Sequence, residues 1–137
     1  MTAKLFILIA SFIFLILGVI HLIYTFFTNK FLARDGETTE KMKSTSPVLT
    51  KETTVWDAWI GFNASHSVGA IFIGLINIIL VFQYFEVYQS SFSVLLLDIC
   101  ASIFYLFLAK KYWFKIPLIG ILIATSCFII AMAVLIK

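Results

Sequence analysis

The chain is predicted to be an all-α integral membrane protein, a four-helix bundle of antiparallel up-down topology. Composition, run length and the placement of basic residues lead there. Of 137 residues, 62% are hydrophobic and 12% charged, with a mean hydropathy of +1.08. Soluble domains carry about 25% charged residues, and one of this size could not hide so much apolar surface. Four apolar runs, 5–27, 58–84, 91–109 and 116–136, are close to or above the roughly 20 residues a helix needs to cross a bilayer. Backbone groups in lipid must bond within their own segment, so these runs are helices. The alternation of a membrane barrel is absent. A single domain, 1–137, is expected.

The first run, 5–27, is too long for a signal-peptide core, and no A-x-A-like site follows it, so it reads as a retained span. The stretch 28–57 is the one sizeable water-exposed loop. It carries Lys30, Arg34, Lys41, Lys43 and Lys51, and the third loop carries Lys110, Lys111 and Lys115. The two ends contribute only Lys4 and Lys137, and the second loop has no basic residue. The positive-inside rule then places 28–57 in the cytoplasm and both termini on the extracytoplasmic side. The net charge of +3 sits at the ends of apolar runs, where it meets lipid headgroups rather than nucleic acid. Within the loop a short amphipathic helix is expected near 38–43. Ser46-Pro47 resembles a helix start, and Thr54-x-x-Asp57 resembles a capping box with aspartate in place of glutamate.

In the second span Gly61, Ser65 and Gly69 recur every four residues, a spacing that lets another helix approach closely. Gly18 on the first span and Gly120 with Ala124 on the fourth offer similar surfaces. Lys110-Lys111-Tyr112-Trp113-Phe114-Lys115-Ile116-Pro117 is an interface anchor, with rings at headgroup level and lysines beyond them. Cys100 and Cys127 fall inside apolar runs and read as small packing residues.

Depth gathers the unusual residues. His21 lies six residues before the end of the first run, and His66 eight after the start of the second. At about 1.5 Å per residue both sit at nearly one level, roughly 7 Å from the midplane on the cytoplasmic side. Tyr105 returns to that level on the third span. Trp59, Asn63 and His66 share a helix face at i, i+4 and i+7. Asp98 falls near the midplane, on one face with Ser102 and Tyr105, while Asn77 and Ser11 lie in the outer half. Polar groups in hydrocarbon cost several kcal/mol and normally face the bundle interior. The candidate ligand-binding residues are therefore His21, Trp59, Asn63, His66, Tyr105 and Asp98. The plain alternative is that they only join helices by hydrogen bonds, worth about 0.6 kcal/mol each.

The run Trp56-Asp57-Ala58-Trp59-Ile60-Gly61-Phe62-Asn63-Ala64-Ser65-His66-Ser67-Val68-Gly69 resembles the signature of a family of small, uncharacterised bacterial four-helix membrane proteins. Gly18-x-x-His21 and Tyr112-Trp113-Phe114 followed by Pro117 and Gly120-Ile121 resemble further parts of it. The resemblance spans nearly the whole chain. It implies a multi-pass inner-membrane bundle with no established activity, and gives no catalytic residue to carry over. In outline the architecture is also similar to DoxX-like proteins, a likeness of fold alone.

Several functions stay open on this reading. One is a structural or accessory subunit whose small-residue ridges dock a membrane-protein partner or a second copy. Another is a ligand-binding protein, or a transporter or proton relay, for a small polar molecule, since histidine titrates near neutrality. A third is a redox protein in which the two histidines hold haem or a metal, although no H-x-x-x-H spacing accompanies them. An intramembrane enzyme acting on quinone or lipid is the last. No G-x-S-x-G, Walker loop or H-E-x-x-H is present. Ser65 and His66 are adjacent on a helix, so they point about 100° apart and cannot act as nucleophile and base. No catalytic or metal-binding residue and no cofactor can be named from the sequence. Membrane lipid is the one partner it implies directly.

Overall fold

The computed structural model describes residues 2–136; Lys137, counted above among the end charges, lies outside them. The described residues form six helices and no strand: α1 (Thr2–Phe27), α2 (Gly36–Ser44), α3 (Val55–Gln83), α4 (Glu86–Ser90), α5 (Ser93–Tyr112) and α6 (Lys115–Ile136). Four of them, α1, α3, α5 and α6, are long and apolar enough to cross a membrane. Their 26, 29, 20 and 22 residues correspond to about 39, 43, 30 and 33 Å, against a hydrocarbon core of about 30 Å. Large apolar side chains stand exposed along them, among them Phe62, Phe72, Leu97 and Ile116. Such a surface is costly in water and at home in lipid.

The chain divides into two compact units. One holds the chain up to Leu17 together with everything from Ala70 onward; the other is Gly18–Gly69. In the first, α1 buries Ile7, Ala10, Ser11 and Phe14, a stripe at i, i+3, i+4 and i+7. From α6 come Ile121, Ala124, Thr125, Phe128 and Ala131, and from α5 Leu95, Asp98, Ile99 and Ser102. Phe14 packs edge-on against Tyr105 (5.6 Å between ring centres) and tilted against Phe128 (6.3 Å). Two helices approach closely here at Gly74: a Cβ there would lie 2.6 Å from the Ser11 carbonyl oxygen and 2.8 Å from the Leu15 backbone nitrogen. Only glycine lets α3 and α1 meet this closely. The ridge expected at Gly61 does not serve that purpose, because a Cβ on Gly61 meets nothing within 4 Å and Ser65 is exposed.

In the second unit Asp35 caps α2, its carboxylate accepting the Glu37 and Thr38 backbone N–H groups (3.4 and 3.0 Å) and the Thr38 hydroxyl (2.6 Å). The helix expected near 38–43 is thus present and longer at both ends. Ser46-Pro47 starts no helix; Pro47 instead opens a turn closed by Thr50 N–H on its carbonyl (3.3 Å). The start lies further on, at Val55, whose N–H bonds to the Thr45 carbonyl (2.8 Å). Thr54 accepts the Asp57 N–H (3.0 Å) and donates its hydroxyl to the Asp57 carboxylate (2.7 Å). The side-chain pair of a capping box forms, but aspartate meets the threonine hydroxyl where glutamate would reach the backbone.

Two boundaries differ from the apolar runs in ways that move site residues. Val55-Trp56-Asp57 makes the first turn of α3, so His66 lies eleven residues inside the helix. α5 begins at Ser93, held by Ser91 Oγ accepting the Ser93 N–H (3.2 Å), and runs on to Tyr112. Asp98 is therefore five residues from the start of α5, about one turn nearer its end than the expected midplane position.

Candidate functional site

The Gly18–Gly69 unit contains both histidines. His21 is six residues from the end of α1, and Trp59, Asn63 and His66 follow one face of α3. The two imidazole rings stand edge to face, 5.3 Å between centres, and both are half-buried. Asn63 joins the helices: its Nδ2 donates to the Trp59 carbonyl one turn back (2.8 Å), and its Oδ1 lies 3.0 Å from His21 Nε2. Flipping the amide would set its oxygen against the Trp59 carbonyl, so the orientation is fixed. The Asn63 oxygen then only accepts, and His21 Nε2 must carry the hydrogen. In neutral His21 the lone pair is thereby confined to Nδ1. Hydroxyls brace the backbone on both helices, Thr25 donating to the His21 carbonyl (2.8 Å) and Ser67 to the Asn63 carbonyl (2.8 Å).

Phe31, from the segment between α1 and α2, covers this arrangement. Its ring centre is 4.7 Å from His21 and 6.2 Å from Trp59, and its carbonyl accepts the Trp59 indole N–H (3.3 Å). Phe31 and Trp59 also line an open cavity of about 360 Å³ with Lys30, Leu32, Ala33 and Met42. Sequence reasoning missed Phe31, which sits in a polar loop and carries no periodic signal.

Of the six candidates, His21, Trp59, Asn63 and His66 come together in this unit. Tyr105 and Asp98 belong to the other. Tyr105 there packs against Phe14 and, 6.2 Å away, Trp113. Asp98 accepts from Asn77 (2.9 Å). Among the described residues no three His, Cys, Asp or Glu side chains gather as a metal-binding group. Axial haem ligation does not fit the histidines as placed, because His21 Nε2 is committed to Asn63 and the rings are edge to face rather than spaced across a macrocycle. The arrangement can accept a hydrogen bond or a proton on one imidazole while a second stands beside it, inside a rim of aromatic rings.

No protein-family profile matches the chain, and no curated protein or solved structure shows significant similarity to it.

Proposed function

We propose that this chain is a multi-pass membrane protein that binds a small polar, protonatable ligand at His21, Asn63 and His66. In this reading the four long helices form an antiparallel bundle in the cell inner membrane, with 28–57 in the cytoplasm and both termini outside. The assignment of the chain to the small bacterial four-helix family belongs to the same proposal. The observation that carries it is the Asn63 amide, locked by the Trp59 carbonyl, fixing the His21 tautomer 5.3 Å from the second imidazole. Gluing two helices needs one hydrogen bond; it does not need two adjacent histidines with one tautomer set by a third residue. The cytoplasmic-side cavity at Phe31 and Trp59 is the approach.

Native mass spectrometry of the detergent-purified chain tests this. A small non-lipid molecule is expected on the wild type and its occupancy should fall at least tenfold in His66→Ala, with both chains still membrane-inserted. A wild type that carries no such mass, or a variant that retains it fully, would end the proposal.

A second reading rests on the face of α3 around Gly61 and Ser65, which is exposed and meets nothing at Gly61. The chain would then be an accessory subunit, and replacing both histidines by glutamine would leave its assembly unchanged.

A further inference from the structure

A separate polar cluster lies in the unit that starts again at Ala70. Asn77, fully buried on α3, is its centre. Its Nδ2 donates to the Ile73 carbonyl (2.9 Å) and to Asp98 Oδ1 (2.9 Å), so both amide hydrogens are used. Its Oδ1 accepts the hydroxyl hydrogen of Tyr88 on α4. Every hydrogen of the cluster is thereby assigned except at Asp98 Oδ2. That oxygen is enclosed and has no hydrogen-bond partner among the described residues. Tyr88 is wholly buried and Asp98 is only 8% exposed.

Among the described residues no cation is paired with Asp98. Lys4 lies over the Phe85 ring (4.4 Å), and Lys111 between Phe107 (5.7 Å) and Tyr112 (5.1 Å). Lys110 and Lys115 are exposed. The other titratable side chain bonded into the cluster is Tyr88, and its hydrogen is already given to Asn77. A carboxylate with one donor, one bare oxygen and no counter-charge is the costliest state a buried acid can take. A neutral acid avoids it: Oδ1 stays the acceptor for Asn77, and Oδ2 carries a hydrogen. A metal ion would need several oxygens around the bare one, and those of Asn77 and Tyr88 are engaged with each other.

The geometry points to Asp98 as a proton-binding site, held as a neutral acid whose Oδ2–H is an unspent donor. Asn77 positions the carboxyl and Tyr88 orients Asn77. The group can hydrogen-bond, or pass its proton to, a small acceptor that reaches it, such as water or an anionic base. This site shares no residue with the histidine cluster and stands or falls independently of it.

Infrared spectroscopy of the detergent-purified full chain tests the proposal. A protonated carboxyl absorbs above the amide and carboxylate bands, and the chain's other acids are exposed. The expected result at pH 7 is one protonated carboxyl per chain, shifted by carbon-13 labelling of the aspartate side chains. The band should be lost in Asp98→Asn and kept, at a changed frequency, in Tyr88→Phe. Should Asp98→Asn fail to fold, the labelled wild type decides alone. A wild type with no aspartate-sensitive band at pH 7 overturns the proposal. So does a band that vanishes when potassium salts are exchanged for sodium at constant pH, which would identify a cation as the occupant.

Discussion

Gly74→Ala is expected to be far more damaging than the single methyl it adds would suggest. The new Cβ would sit 2.6 Å from Ser11 O, 2.8 Å from Leu15 Cβ and 2.8 Å from Leu15 N. Ordinary contacts begin near 3.4 Å, so the gap to Ser11 must widen by about 0.8 Å. Two of the three atoms are α1 backbone and cannot swing aside, so the helices themselves must part. Overpacking of this kind costs about 1–3 kcal/mol, and rigid neighbours place it near 3. The methyl recovers little by burial, because lipid is as apolar as the helix interface. Gly61→Ala is the matched control. Its Cβ meets nothing within 4 Å, and alanine improves the helix by up to about 1 kcal/mol. The two variants should therefore differ by about 3–4 kcal/mol, more than a hundredfold in the folding equilibrium. Reversible unfolding in mixed micelles, followed by circular dichroism, measures the difference. Equal stabilities for the two variants would refute the close approach of α1 and α3 at this glycine.

Tyr88→Phe strips the Asn77 oxygen of its donor and should cost about 1–3 kcal/mol in the same assay; a cost below 0.5, on the order of a surface change, would show that the hydroxyl does not hold Asn77. The Thr38 hydroxyl and N–H hold the Asp35 carboxyl below its ordinary value of 3.8. A depressed folded-state value means the cap's contribution is present above that ordinary value and is lost as pH falls through the lower one. Amide protection in the first turn of α2 should thus persist from neutrality down to about pH 4 and fade below it. Asp35→Asn keeps an acceptor at the cap and should flatten that acid transition; an unchanged transition would assign it to another carboxyl.

Residue by residue, the match between sequence and structure depends on how local each property is. That the two histidines come side by side was readable because hydrophobicity, not helix length, sets how the two segments align. α3 starts three residues before its apolar run, yet counting from the run still brought His66 level with His21. The apolar pattern does not reveal that α5 starts only at Ser93, where Ser91 Oγ takes the Ser93 N–H, so Asp98 lies two residues nearer the helix start than it does in its apolar run. The six-residue window 85–90 looked like loop, and Tyr88 within it proved wholly buried. A single aromatic residue in a short connection has no periodicity from which burial could be inferred.

The chain by itself determined that its backbone is helical, that four segments can cross a membrane, and that a few polar side chains had to find partners. These follow from the cost of unpaired backbone groups and of ionisable groups in hydrocarbon, which every residue feels alone. Which glycine admits a neighbouring helix, which amide orients His21, and which oxygen of Asp98 is left bare were decided only by tertiary structure. Each depends on two helices meeting at one rotation and one height, and hydropathy alone sets neither.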